Sequence, residues 1–184
     1  MDNDAALRPT PNRCALPRRF SDFATFGEAL DYAAGGVRGL NFHDPRGNLI
    51  RAYPFADLRR DALVMARRLI AGGVRPGDRI ALVAQTGPEF ATLFCGAIYA
   101  GAWPVPLPLP TSFGGKESYI EQLAVQLESS DPAMLLYPQE IAEMARTAAD
   151  RRGGDGASFE DFAARPGGDA PLPPQNPHDI CYLQ

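Results

Sequence analysis

Residues 76–99 read Pro76-Gly77-Asp78-Arg79-Ile80-Ala81-Leu82-Val83-Ala84-Gln85-Thr86-Gly87-Pro88-Glu89-Phe90-Ala91-Thr92-Leu93-Phe94-Cys95-Gly96-Ala97-Ile98-Tyr99. The Pro-Gly-Asp turn delivers a short unbroken apolar run, Arg79–Ala84, of the length and character of a strand buried on both faces. Thr86-Gly87-Pro88-Glu89 then has the S/T-x-x-E form of a capping box, with proline in the first helical turn. Behind it Phe90, Leu93, Phe94, Ala97 and Ile98, joined by Cys95, make a helix apolar on more than one face, which predicts deep burial. A strand followed at once by a buried helix is the repeating unit of a parallel α/β sheet.

Downstream the unit recurs. A strand is expected around Trp103–Leu107, then a helix near Glu117–Ser129 built on Ile120, Leu123, Ala124 and Leu127. A third strand, Ala133–Tyr137, precedes a helix over Gln139–Ala148. Residues 153–175 are rich in Gly, Pro and Asp, broken by one helical turn at Ser158–Ala164. Upstream, Thr25-Phe26-Gly27-Glu28 is another capping box, opening a helix through Phe26, Ala29, Leu30 and Ala33 that Gly35-Gly36 stops. Leu40 and Phe42 face Leu49 and Ile50 across Asp44-Pro45-Arg46-Gly47-Asn48, a hairpin with a longer loop. From Phe55 to Ala71, Leu58, Ala62, Met65, Ala66 and Leu69 form one apolar stripe, with Arg59, Arg60, Arg67 and Arg68 off it.

The expected fold is therefore α/β: a doubly wound, mostly parallel sheet preceded by a helix, a β-hairpin and a helix. Residues 1–22, with Pro9, Pro11 and Pro17 and no periodicity, are expected to form an extended or poorly ordered leader, and 23–184 the folded unit. Asp179-Ile180-Cys181-Tyr182-Leu183-Gln184 alternates like a last strand and the sequence stops inside it, so the unit is expected to be the front of something longer.

Composition narrows the function. The chain has 184 residues and a net charge of −4, enough for one core that buries roughly 70% of the unfolded surface. All but one of its 18 basic residues are arginine, the exception being Lys116, and they form no basic block, which argues against nucleic-acid binding. No apolar run is long enough for a membrane span, and the acidic start lacks the apolar stretch of a secretory signal. Three cysteines without a C-x-x-C pattern, Cys14, Cys95 and Cys181, fit a reducing, cytoplasmic setting.

Chemistry is harder to place. Ser112-Phe113-Gly114-Gly115-Lys116-Glu117-Ser118 imitates a phosphate loop but has Pro110 where the pattern needs glycine and Glu117 where it needs a hydroxyl. His43 and His178 have no partners at metal-ligand spacing. Cys95 and Cys181 have no cationic neighbour in sequence and read as packing thiols. The four arginines of 59–68 read as a solvated helix face, with phosphate binding the rival. Trp103, in Trp103-Pro104-Val105-Pro106-Leu107-Pro108-Leu109-Pro110, reads either as core or as the rigid wall of an apolar ligand tunnel. No catalytic constellation assembles.

The order of segments resembles the opening of the adenylate-forming acyl-activating enzymes. It is carried by Phe55-Ala56-Asp57-Leu58, Gly77-Asp78-Arg79-Ile80-Ala81-Leu82 and Tyr99-Ala100-Gly101-Ala102-Trp103-Pro104-Val105-Pro106-Leu107. Asp22-Phe23-Ala24-Thr25 with Glu28-Ala29-Leu30-Asp31-Tyr32, and Phe113-Gly114-Gly115 with Tyr119-Ile120-Glu121-Gln122-Leu123, resemble its fatty-acyl-AMP ligase branch. The likeness runs over nearly the whole chain from about residue 17. It implies a full-length enzyme that activates a fatty acid with ATP and Mg²⁺ to acyl-AMP, then passes the acyl group to an acyl carrier protein. Trp103 would then belong to the acyl-pocket wall. The family's phosphate loop would begin just beyond Gln184, and its catalytic lysine would lie in a later domain, so Lys116 does not inherit that role. The implied unit is the first subdomain, which needs the remainder of its own chain and is expected to be inactive alone. An acyl-CoA ligase, or a non-catalytic α/β binding module, are the alternatives. The family usually has a short apolar strand between Ala149 and Ser158, where this chain carries Asp150-Arg151-Arg152-Gly153-Gly154-Asp155-Gly156, so the strand count there is open.

Overall fold

The computed structural model describes residues 16–110, 115–151 and 154–184. Six helices and six strands follow the expected order. They are α1 (Phe26–Ala34), β1 (Gly39–His43), β2 (Leu49–Pro54), α2 (Phe55–Ala71), β3 (Arg79–Val83), α3 (Pro88–Tyr99), β4 (Trp103–Leu107), α4 (Lys116–Ser130), β5 (Met134–Tyr137), α5 (Ala142–Asp150), β6 (Gly156–Ser158) and α6 (Phe159–Ala164), with a 3₁₀ turn at Gln139–Ile141.

β3 to β6 form one parallel sheet in the order β4-β3-β5-β6. Side chains on a strand alternate between faces, and here each face meets helices. Ile80 and Leu82 join Met134, Leu136 and Ala157 in a core under α1, α2 and α3. Ala81 and Val83 join Val105, Leu107, Leu135 and Tyr137 in a second core under α4 and α5. The sheet is doubly wound, as expected. The apolar stripe of α2 is the buried set: Leu58, Ala62, Met65, Ala66 and Leu69. It lies against α3 at Gly96, where an added Cβ would stand 2.9 Å from the Cβ of Met65 and 3.1 Å from the carbonyl of Ala62.

β1 and β2 pair antiparallel as the expected hairpin. Asp44 shapes its loop by accepting from the amides of Arg46 and Asn48 at 2.9 and 2.8 Å. The first capping box closes with Thr25 Oγ1 accepting from the Glu28 amide at 3.1 Å, while Glu28 reaches the amide of Ala24 at 2.8 Å. Residues 16–22 form no regular element and lie on α1: the Tyr32 hydroxyl donates to the Pro17 carbonyl, and the Arg19 guanidinium sits 4.0 Å from the Phe23 ring centroid. Residues 1–15 lie outside the described part.

Two local expectations need correction, and one open point is answered. The box at Thr86 does not form: Gly87 is the N-cap, extended at φ −178°, ψ 168°, and no side chain caps the helix. A residue before proline is driven to extended backbone, so Pro88 fixes the helix start one residue after the place that a cap at Thr86 requires. The open strand near 150–158 exists: Gly156–Ser158 pairs parallel with β5, and Ser158 then caps α6 by accepting from the Asp161 amide at 3.0 Å. Residues 179–184, expected as a strand, are irregular and make one sheet-edge bond, Leu183 N–H to the carbonyl of Pro104 at 3.0 Å. The reason lies in β4. Trp103, Val105 and Leu107 face β3, leaving Pro104 and Pro106 on the outer edge, where proline has no N–H to offer.

Gly96→Ala should lower stability by about 1–3 kcal/mol through overpacking against α2. The urea midpoint should fall with an unchanged slope, and an unchanged midpoint would remove Gly96 from the helix contact.

Candidate functional site

In an open doubly wound sheet, ligands bind outside the carboxyl ends of strands where connections depart in opposite directions. Here β3 leads to β4 on one side while β5 leads to β6 on the other, so the crevice lies between the loops after β3 and β5. The first loop is tied to β4 by the Ala84 amide on the Leu107 carbonyl at 2.8 Å and ends at the exposed Thr86. The second is Pro138 and the 3₁₀ turn.

Around this end Lys116 and Tyr119 are already engaged. Lys116 pairs with Glu143 at 2.7 Å, joining the starts of α4 and α5, so it holds a helix partner in place of a phosphate. Residues 111–114 of the phosphate-loop imitation lie outside the described part. The Tyr119 hydroxyl donates to the Pro108 carbonyl at 3.1 Å, and burial pushes its pKa up to about 12.

One buried polar cluster escaped the sequence reading. The Tyr53 hydroxyl donates to Asp61 Oδ2 at 2.8 Å and lies 2.9 Å from Thr92 Oγ1, which donates to the Pro88 carbonyl at 2.7 Å. It ties the hairpin to α2 and to the first turn of α3, beside a cavity of about 160 Å³ that Arg51, Glu89 and Phe159 also line. Burial, helped by the Asp61 carboxylate, raises the Tyr53 phenol to about 12. Tyr99 is held similarly: its hydroxyl donates to Asp31 at 2.6 Å, and burial followed by that bond raises its pKa. No sequence signal marks these contacts, since Tyr53 and Thr92 are 39 residues apart.

A larger groove, about 510 Å³, opens at the other end of the sheet. Phe23, Phe26, Ile98, Ala102, Ile180 and Cys181 supply most of its apolar lining. Trp103 stands near this end, as the first residue of β4 opposite Arg79, with its amide on the Asp78 carbonyl at 2.8 Å. It is half-buried, its ring 4.0 Å from where a Cβ on Gly77 would lie, and it is not among the residues lining the groove.

The remaining candidates stay apart. His43 and His178 are exposed, and among the described residues no three His, Cys, Asp or Glu side chains converge as a metal site. Cys95 is buried, which lifts its thiol to about 12, and burial raises Cys181 as well, so neither is a ready nucleophile. The arginines of α2 bind within the fold. Arg59 pairs with Asp31 at 2.6 Å, Arg60 with Asp57 and Asp61 at 2.6 and 2.9 Å, and Arg68 donates to the Arg165 carbonyl at 2.7 Å. No helix among the described residues is long and apolar enough to cross a membrane.

A two-cored parallel sheet with its switch point beside the first strand defines an α/β ligand-binding class. Residues 45–184 match the AMP-binding enzyme family, and the chain belongs to it. A putative acyl-CoA synthetase of Caulobacter vibrioides is 40% identical over 184 residues, spanning 98% of this chain and 31% of the relative. The long-chain-fatty-acid–AMP ligase FadD32 of Mycolicibacterium smegmatis is 30% identical over 120 residues, spanning 65% of this chain and 18% of the relative. A solved structure from work on fatty acyl-adenylate ligases of E. coli and L. pneumophila superposes with a TM-score of 0.87 at 36% identity, covering 91% of this chain and 30% of that one. The chain thus spans about a third of the length of the first relative it matches.

The three raised phenols set a stability expectation. Tyr53, Tyr99 and Tyr119 keep their protons in the fold at pH values where an unfolded tyrosine, near pKa 10, loses its own. Their contribution is fully present below about pH 10 and is lost as pH climbs toward about 12. Urea midpoints should fall steadily over that window; a flat profile would mean that the phenols are not shielded.

Proposed function

We propose that this chain is the opening part of a fatty-acyl-AMP ligase. The whole enzyme joins a fatty acid to ATP: the carboxylate oxygen attacks the α-phosphorus, the bond to pyrophosphate breaks, and acyl-AMP forms. The phosphopantetheine thiol of an acyl carrier protein then attacks the acyl carbonyl, forming a thioester and releasing AMP. Mg²⁺ would neutralise the phosphates when bound. The supporting observation is the likeness to the fatty acyl-adenylate ligase structure over nine-tenths of the chain at 36% identity.

Within that enzyme these residues act as scaffold. The two cores fix the loops after β3 and β5 at the sheet's carboxyl end, where the fold class places ligands. By itself the chain is expected to be inactive, because its described residues bring together no donors aimed at the charge that develops in the transition state. Trp103, the first residue of β4, is the proposed wall of the acyl channel, which then passes the amino end of that strand. The free thiols of Cys95 and Cys181, one buried and one half-buried, fit a cytoplasmic enzyme.

A second reading has its own support: the 40% identical relative is a putative acyl-CoA synthetase, which makes coenzyme A the rival acceptor. The uninterrupted protein, given ATP, Mg²⁺ and fatty acids of graded length, should release pyrophosphate and load holo-acyl carrier protein in preference to coenzyme A. Absence of acid-dependent pyrophosphate would end the ligase reading, and preferential acyl-CoA formation would replace the acceptor. Titration calorimetry of the 184-residue chain with ATP·Mg²⁺ should show no tight binding; micromolar affinity would overturn its assignment as scaffold.

A further inference from the structure

Tyr53 is the only buried residue of β2. Its hydroxyl stands between Asp61 on α2 and Thr92 on α3, at 2.8 and 2.9 Å. Thr92 commits its own proton to the Pro88 carbonyl at 2.7 Å. The contact between the two hydroxyls therefore needs the Tyr53 proton, and that one proton serves Asp61 and Thr92 in turn. A phenylalanine would fill the same space and make neither bond, so apolar burial does not account for a tyrosine here.

The start of α3 leans on this chain of bonds more than a helix start usually does. No side chain caps it, Gly87 is extended, and Pro88 brings no N–H. Packing behind it is incomplete, since Pro88, Glu89 and Thr92 border the cavity of about 160 Å³. A first turn with open space behind it is fixed by its bonds. Residues 84–87, directly before it, form the loop after β3 that rims the crevice at the carboxyl end of the sheet.

We propose that Tyr53 is a positioning residue for adenylation: through Thr92 and Pro88 its hydroxyl holds the start of α3, and with it the loop of residues 84–87, in place beside the crevice. The proposal rests on the ligase reading given above. Tyr53 is 3% exposed, so it acts through the helix start and not on the substrate. Its lever is geometry, since a misplacement of about 1 Å in a wall of an active site can cost on the order of 10²-fold in rate. Contacts that bind ATP and fatty acid elsewhere in the enzyme survive the loss of a buried hydroxyl, so the effect falls on kcat and leaves KM nearly unchanged.

The test uses the uninterrupted protein, with kcat and KM for acid-dependent pyrophosphate release and peptide-resolved hydrogen exchange. Tyr53→Phe and Thr92→Val should each lower kcat about tenfold or more, with KM for ATP and for fatty acid within about threefold. The double variant should fall no further than the worse single one, because the two hydroxyls act as one unit. Thr92→Ser, which keeps the hydroxyl, should recover most of the loss. In Tyr53→Phe, exchange should rise over residues 84–93 and stay unchanged over α4 and α5. Unaltered kcat in both single variants would overturn the proposal. So would additive losses, or exchange raised throughout the protein, the mark of a tyrosine that only stabilises the fold. A wild-type protein that releases no acid-dependent pyrophosphate would sink the ligase reading by itself, and the exchange pattern would then still decide whether Tyr53 holds the helix start.

Discussion

The whole arrangement depends on β3 being buried on both faces. Ile80, Ala81, Leu82 and Val83 are fully enclosed, two side chains to each core. A strand in that position needs sheet neighbours on both edges and helices over both faces. The connections satisfy this. β3 passes to β4 through α3, which lies over one face. β4 must then return past β3 to reach β5, and a right-handed crossover in the opposite direction carries α4 to the other face. α5 continues in that direction to β6. The order β4-β3-β5-β6, the two cores and the switch point are thus one consequence of a doubly buried first strand.

The two faces are held differently. α2 and α3 approach closely because Ala62, Ala66 and Gly96 are small where they meet, and the arginines of α2 are left to pair at the surface. Exposed ion pairs such as Arg59–Asp31 contribute little each, roughly 0–1 kcal/mol. The buried Tyr53, Asp61 and Thr92 cluster matters more for geometry, since unpaired polar groups there would carry a full desolvation cost. It pins the hairpin, α2 and the start of α3 to each other at the carboxyl end of the sheet.

Much of this was legible in the sequence because it rests on local periodicity. The five buried positions of α2 are those its stripe predicts, and the continuous apolar run Arg79–Ala84 announced a doubly buried strand. What was not legible had no period. β6 is three residues long, and its pairing of Ala157 with Leu136 follows a run of Asp, Arg and Gly that reads as loop. The Tyr53 cluster joins elements distant in sequence. The apolar pattern of α3 predicts burial for Phe90 and Phe94, yet both are only partly covered, with their ring centroids 6.0 Å apart and Tyr182 at 5.9 Å from Phe94. Hydrophobicity alone does not separate a core aromatic from a partly exposed one.

The prolines of β4 carry information that periodicity does not. Prolines at alternate positions of a strand all remove donors from the same edge, and such a strand belongs at a margin of its sheet. Pro104 and Pro106 therefore specify both the place of β4 and what can lie beside it. A neighbour can donate to their carbonyls, but its own carbonyls find no N–H in return. Residues 180–184 accordingly stay irregular even though their apolar alternation suits a strand. They are held by Leu183 in the second core, by Tyr182 on Phe94 and by one backbone bond. At this margin side-chain burial, with the ladder half removed, decides where the backbone runs.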